Sequence, residues 1–226
     1  MLLLPKATFH QLRLLFWGLH IFLLIVAVYL IPVDWDEGWT FCSARHLIQD
    51  GHYGCKYNGN FTPTRLTTSL STVLMAAAGF GLFGVSYVAG RALFAIQALL
   101  LVFFCARLAR KASGEVAELA CLGYLLFVSG DQMVHPMTLG ARALGEVPAL
   151  LAFILGISML QPWLLPKLSM ANPLRLALSL PFLLLACCTK VQFRPFVAAA
   201  CVGAGLLLLI GRSTRLLGVL ILAAGV

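Results

Sequence analysis

Charge is scarce in this chain of 226 residues. Asp, Glu, Lys and Arg together make up 11% of it, and hydrophobic residues make up 61%, whereas a soluble domain carries about 25% charged residues. A soluble fold of this length still exposes about a quarter to a third of the surface that its unfolded chain exposes. The composition therefore excludes a soluble enzyme and a disordered protein, and it indicates a membrane protein.

Acidic residues are the rarest charged group, with eight Asp and Glu against sixteen Lys and Arg, so that the formal net charge is +8. In a polytopic membrane protein, such an excess reflects cytoplasmic loops held at the anionic inner leaflet. We therefore expect a lipid bilayer, and no nucleic acid, as the partner of the positive charge. The chain also lacks internal repeats and low-complexity linkers.

Long apolar runs are abundant. The first, at 14–32, has nineteen residues without a charge, enough to cross a hydrocarbon core of about 30 Å. A signal peptide is the alternative, although the run exceeds the usual 7–15-residue apolar region and lacks a clear cleavage site. Further runs lie at 91–106, 116–130, 143–161, 177–189, 196–211 and 216–226. They predict one all-α, polytopic transmembrane domain over 1–226, the last run being too short to cross.

The segment 66–84 decides on which side of the membrane every later loop lies. If it does not cross, nine Lys and Arg lie inside and seven outside; if it crosses, six lie inside and ten outside. Because cytoplasmic loops carry the excess of Lys and Arg, we expect an interfacial or re-entrant helix on the outer face. The N-terminus is then cytoplasmic and the first loop periplasmic, in a bacterial inner membrane.

The loop at 34–65 is polar, aromatic and acidic. Asp36 and Glu37 follow the first span closely, flanked by two tryptophans. Two interpretations stay open: solvated acids in an interfacial aromatic belt, or a catalytic base or cation-binding carboxylate beside a membrane-surface helix. The apolar spacing predicts that helix over 39–50, with Gly51 ending it.

Two more pairs of polar side chains fall in the outer loops. Arg142 and Glu146 are four residues apart and are predicted on adjacent turns of one helix. Glu146 is there either functional or paired with Arg142, because a carboxylate entering a span is costly alone. Lys190 and Arg194, also four apart, either extend to the interface or bind a phosphate oxyanion from one face.

Metal and disulfide sites are left open by the sequence. Asp36 and His52 are candidate ligands of a divalent ion, but the spacing matches no strong metal signature. Cys42 and Cys55 are the cysteines that lie in a polar stretch, and they would pair only in an oxidising compartment.

The order of several short motifs carries a family resemblance. A basic N-terminus and one span lead to DEGWTFCSARHLIQDGHY, a Thr/Ser/Gly-rich segment then ends in LFGVSYVAGRAL, and a later span ends in ARLARKASGE. This order resembles the start of the GT-C class of lipid-linked-sugar glycosyltransferases, which includes aminoarabinose transferases and protein O-mannosyltransferases. In that class an acidic motif precedes a juxtamembrane helix of the form A-R-x-x-x-x-x-G, matched here by Asp36, Glu37, Ala44, Arg45 and Gly51.

The resemblance implies a GT-C-like bundle with juxtamembrane helices in an outer loop at 33–90, and transfer of a sugar from a polyprenyl-phosphate donor to an acceptor hydroxyl. Asp36 is then the general base, Glu37 supports it or the acceptor, and Glu146 takes the second acidic position. The candidate ligands of the lipid phosphate and the substrate are the outer cations Arg45, Arg142, Lys190 and Arg194.

Relatives in that class are longer, so we expect these residues to form the N-terminal part of a longer GT-C module. The main alternative is a non-catalytic GT-C-like membrane subunit that serves as a scaffold in a larger complex with other membrane subunits. A transporter is a third alternative. It would place charges near the middle of spans or break matching helices, whereas the acids here gather at one face.

Overall fold

The computed structural model describes residues 6–57, 60–62, 69–127, 140–164 and 173–210. These residues are mostly helical, which confirms the all-α class. The chain divides into two compact units, 1–147 and 148–226. The helices are α1 (Lys6–Leu30), α2 (Trp35–Asp50), α3 (Leu70–Phe83), α4 (Tyr87–Phe127), α5 (Glu146–Leu164), α6 (Pro173–Thr189) and α7 (Arg194–Ile210). The antiparallel strands β1 (Cys55–Tyr57) and β2 (Asn60–Thr62) pair with Lys56 opposite Phe61.

Two of the described helices, α1 and α4, are long and apolar enough to cross a membrane. Helix α4 is interrupted near Gly114, whose φ of 83° is left-handed, a conformation open to glycine at little steric cost. The second arm of α4 then returns along α1, because Glu118 binds Arg13 at 2.8 Å and His20 donates to the carbonyl oxygen of Leu122 at 3.1 Å. The interruption thus separates the two apolar runs predicted in this part of the sequence.

The first unit is packed around a contact between α2, α3 and α4. Phe41 of α2, Phe80 of α3 and Phe94 of α4 share one buried cluster. Small residues let α3 and α4 approach each other closely. A Cβ on Gly79 of α3 would lie 2.2 Å from the carbonyl oxygen of Ala89 in α4. Helix α3, which covers most of the segment 66–84, therefore packs on α2 as well as α4.

The second unit is a cluster of α5, α6 and α7 in which Leu160, Leu183 and Cys201 are buried together. A 3₁₀ turn, Val191–Phe193, separates α6 from α7. Lys190 and Arg194 therefore stand on either side of this turn, and the prediction that they share one helical face is wrong. Pro195, in the first turn of α7, favours the break, because its ring and missing N–H disfavour the interior of a helix. The run at 216–226 lies outside the described residues.

Candidate functional site

The candidate site begins with the start of α2. Asp34 has an extended backbone, and its Oδ1 accepts a hydrogen bond from the N–H of Glu37 at 2.8 Å. An aspartate at this capping position satisfies one of the free donors of the first helical turn. Asp36 and Glu37 consequently lie inside that turn, where carboxylates face the positive end of the helix dipole, and α2 begins one turn earlier than the predicted helix over 39–50.

Glu37 is not an exposed acid. Its side chain is fully buried, and its two oxygens bind Arg91 of α4, with Nε to Oε1 at 2.7 Å and Nη2 to Oε2 at 2.5 Å. The backbone N–H of Ala143 also donates to Oε1 at 2.9 Å. The carboxylate therefore joins α2, α4 and the segment before α5.

Arg91 uses all five of its N–H donors. Besides the pair with Glu37, Nη1 donates to the carbonyl oxygens of Val28 and Ile31 at 2.9 and 2.8 Å, and Nη2 donates to that of Pro32 at 3.4 Å. Carbonyls at the C-terminal end of a helix lack partners within that helix. Arg91 thus caps the end of α1 while it compensates the buried charge of Glu37.

Arg142 forms the second ion pair of the site. Its Nη1 lies 2.5 Å from Oδ2 of Asp34, so that Asp34 caps α2 with one oxygen and binds Arg142 with the other. The prediction that Arg142 and Glu146 lie on adjacent turns of one helix is wrong, because α5 begins at Glu146. Pro148 favours this start, since a proline fits the first turn of a helix better than its interior.

Asp36 differs from its neighbours. Its side chain is exposed, and among the described residues no hydrogen bond or ion pair holds its carboxylate; its carbonyl oxygen accepts from the hydroxyl of Thr40 at 3.1 Å. At 100° per residue, Asp36 stands in line with Thr40 and Ser43, whose side chains are buried. The site therefore presents one available carboxylate, on a turn that Asp34 and Glu37 hold rigidly.

The far end of α2 carries a separate polar group. His46 and Asp50 are joined at 2.7 Å between Nδ1 and Oδ2, and this hydrogen bond lowers the pKa of Asp50 below its usual value of 3.8. His52 donates from Nδ1 to the carbonyl oxygen of Asp50 at 2.7 Å. Arg45 is exposed and donates to the amide oxygen of Gln49 at 2.9 Å.

The two cysteines near the site are free thiols, so no disulfide joins Cys42 to Cys55 in this structure. The Cys55 sulfur lies 3.4 Å from the hydroxyl of Ser43 and 3.6 Å from the carbonyl oxygen of Trp39. Burial, and secondly a hydrogen bond with Cys42, raise the pKa of the Cys55 thiol to about 12.

Two cavities flank α2. The smaller, of about 460 Å³, is lined by Asp34, Trp35, Trp39, Cys55 and Lys56 among others. The larger, of about 720 Å³, lies between α2 and the connection from α3 to α4. Cys42 and Gly38 line both. Asp36 lines neither of these two, so its carboxylate faces away from them.

The structure also gives the positions of the remaining residues that were predicted to bind substrate or metal. Glu146 is half-buried in the first turn of α5, and Lys190 and Arg194 belong to the second unit. In the part of the chain that the structure describes, no three His, Cys, Asp or Glu side chains group so that they could hold a metal ion. The candidate ligands Asp36 and His52 therefore belong to no such cluster.

Two residues of the site are missing from the sequence-based set: Asp34 and Arg91. Asp34 had a visible signal, because Asp34-Trp35-Asp36-Glu37 has the spacing of a capping box, an N-cap acceptor followed three positions later by Glu. Arg91 had a weaker one, since an arginine at the edge of an apolar run demands a partner. Its partner Glu37 is 54 residues away, a distance that local patterns do not span.

Comparison of the chain with protein-family descriptions, with curated proteins and with solved structures found no match.

Proposed function

We propose that the protein is a membrane glycosyltransferase that moves a sugar from a polyprenyl-phosphate donor to an acceptor hydroxyl at the outer membrane face. The observation that carries the proposal is the contrast between two adjacent acids. Glu37 is buried and bound by Arg91, whereas Asp36 is exposed. In the proposed mechanism the buried acid positions the turn, and the exposed acid is the general base that accepts the proton of the acceptor hydroxyl.

The charges of the first unit support a membrane placement. Two turns into α1, Arg13 binds Glu118 at 2.8 Å, and beside this pair Arg110 binds Glu115 at 3.1 Å. The C-terminal end of α1, at Leu30, is about 26 Å from Arg13 at 1.5 Å per residue, close to the thickness of a hydrocarbon core. The apolar side chains exposed on α1 between Arg13 and Leu30 are Leu14, Leu15, Ile21, Phe22, Ile25 and Tyr29.

The proposed topology places the N-terminus in the cytoplasm and α2 on the periplasmic side of a bacterial inner membrane. Helix α3 has 14 residues, about 21 Å, which is shorter than a span requires. It also packs along α2. Both observations support an interfacial position for 66–84, so that the later loops keep the orientation that the distribution of Lys and Arg favours.

The proposed reaction uses Asp36 as the base. As the acceptor oxygen attacks the anomeric carbon, its proton passes to the Asp36 carboxylate and the bond between that carbon and the phosphate oxygen breaks. Cations stabilise the departing phosphate, and Arg142 is the candidate cation within the first unit. Glu146 retains its proposed role as the second acid.

The test is transfer activity of the full-length protein in membranes that contain a defined polyprenyl-phosphate sugar. Asp36→Asn keeps the size of the side chain and should lower the rate by about 10²–10⁴-fold. The matched control is Asp50→Asn, an exposed acid of the same helix at its other end, which should retain the rate. Full activity in Asp36→Asn would overturn the assignment, and a wild-type protein inactive with every donor would favour the scaffold alternative.

A further inference from the structure

The larger cavity lies on the side of α2 that faces away from Asp36. Arg45 lines it and follows Asp36 by nine positions, which corresponds to half a rotation about the helix axis and a rise of about 14 Å. A phosphate leaving a sugar beside Asp36 cannot reach Arg45 across that distance. If Arg45 binds a phosphate, that phosphate therefore belongs to a ligand other than the sugar donor.

The floor of the cavity is aromatic. Phe41 lies 5.6 Å from Phe80 and 5.8 Å from Tyr87 between ring centroids. Gly90 permits this packing, because a Cβ there would lie 2.4 Å from the Phe41 ring. Such a floor offers an apolar chain a surface without polar groups to desolvate.

The positive charge of Arg45 is paired with a neutral amide side chain and not with a carboxylate. Its Nε donates to Gln49, and no carboxylate among the described residues lies within ion-pair distance of it. The nearest acid on the helix, Asp50, is bound by His46 at 2.7 Å and approached by Lys56 at 3.9 Å. A guanidinium with unused donors suits a phosphate, which it can bind in a bidentate way.

The rim of the cavity is exposed and apolar. Val85 and Tyr87, both lining residues, are more than half exposed, as are Leu82 and Phe83 at the end of α3. A contiguous patch of this kind marks an interaction surface, and aromatic rings of this kind gather at membrane interfaces. The rim therefore fits the level of the lipid headgroups.

We propose that this cavity binds an anionic phospholipid of the surrounding bilayer, with its phosphate on Arg45 and an acyl chain over Phe41, Phe80 and Tyr87. The proposal rests on the membrane placement given under Proposed function and is independent of sugar transfer. It assigns Arg45 to a site separate from that of Asp36, so that the bound lipid would hold α2 at the membrane surface.

The experiment measures lipid retention by the full-length protein. The protein is reconstituted in vesicles of phosphatidylcholine with a minor fraction of phosphatidylglycerol, and bound lipids are counted by native mass spectrometry. The wild type should retain phosphatidylglycerol in preference to phosphatidylcholine. Arg45→Gln should lower that retention about fivefold, the effect of one cation at an anionic surface, whereas Arg45→Lys, which keeps the charge but not the planar fork of donors, should lower it less.

The matched control is Arg107→Gln, which removes the same charge from an exposed arginine of α4. Arg107 lines neither of the two cavities beside α2, so its loss should lower the retention less than the loss of Arg45 does. Val85→Trp, which narrows the cavity, should lower retention of both lipids. Equal losses in Arg45→Gln and Arg107→Gln, or equal retention of the two lipids by the wild type, would overturn the proposal. This experiment does not measure sugar transfer. Its outcome therefore tests lipid binding at Arg45 separately from the assignment of Asp36 as the catalytic base.

Discussion

Arg91 and Glu37 form a bidentate ion pair at 2.7 and 2.5 Å in which both side chains are buried. The same guanidinium holds three carbonyl oxygens at the end of α1. One side chain of α4 thereby fixes the angle at which the chain leaves α1 and enters α2. The position of Asp36 depends on this pair, because Asp36 adjoins Glu37 in the same helical turn.

Replacing Arg91 should therefore destabilise the first unit. Arg91→Met leaves Glu37 buried without a counter-charge, which typically costs about 3–5 kcal/mol. Arg91→Lys keeps the charge but cannot supply the planar fork of five donors, so we expect a smaller but clear loss. Thermal unfolding in detergent, followed by tryptophan fluorescence, measures both. Arg107→Met, at an exposed position, is the control and should change the midpoint little.

A double variant distinguishes the contribution of the Glu37–Arg91 ion pair from that of the hydrogen bonds by which Arg91 caps α1. Glu37→Gln together with Arg91→Met should be less destabilising than the sum of the two single changes, because no uncompensated charge remains. Strict additivity of the two effects would show that the ion pair contributes nothing beyond the hydrogen bonds of Arg91 to α1.

Asp34 has two separable roles, and two substitutions distinguish them. Asp34→Asn retains an oxygen that caps α2 but loses the charge that binds Arg142, whereas Asp34→Ala loses both. We expect Asp34→Ala to cost about 1 kcal/mol more than Asp34→Asn, which is the typical value of a helix cap. Equal midpoints for the two variants in thermal unfolding would show that the cap contributes no stability.

Local patterns predicted that α2 exists and where it ends, but not its contacts with other helices. The apolar spacing missed the first turn of α2, which begins at Trp35, whereas Gly51 ends the helix as predicted, with a left-handed φ of 68°. The sequence also separated the two apolar runs of α4. Local patterns could not predict which acids at the start of α2 are paired and which is exposed. Glu37 binds Arg91, 54 residues away, and Asp34 binds Arg142, 108 residues away.

A proline lies close to the helix break at both of the wrongly predicted polar pairs. Spacings of four residues between Arg142 and Glu146, and between Lys190 and Arg194, predict shared helical faces only where the helix is continuous. Pro148 and Pro195 each lie in the first turn of a new helix, so that each pair spans a break. Pro148 follows the first pair by two residues and Pro195 follows the second pair by one. These prolines indicated a helix break that the four-residue spacing did not take into account.

The Cys55 thiol should be unreactive while the protein is folded. With its pKa raised from 9.0 to about 12, about one part in ten thousand is the reactive thiolate at pH 8. Alkylation by a maleimide, mapped by mass spectrometry of peptides, should modify Cys42 well before Cys55. Preferential modification of Cys55 would contradict the buried, hydrogen-bonded position.

The same shift predicts a pH dependence of stability. Because the pKa is raised on folding, the contribution of Cys55 is fully present below pH 9 and is lost as the pH rises from about 9 towards 12, since the unfolded state ionises first. The unfolding midpoint should thus fall less steeply between pH 9 and 11 in Cys55→Ala than in the wild type. Identical slopes would show that Cys55 ionises alike in both states.

Two glycines of α3 should respond oppositely to alanine. In Gly79→Ala the new Cβ would lie 2.2 Å from the backbone oxygen of Ala89, and because backbone cannot rotate away, α3 and α4 must separate at a cost of about 1–3 kcal/mol. In Gly81→Ala the Cβ meets no atom within 4 Å, so the variant should gain about 0.5–1 kcal/mol from the lower entropy of the unfolded chain. The two unfolding midpoints should move in opposite directions. Equal movement would mean that α3 does not pack closely on α4 at Gly79.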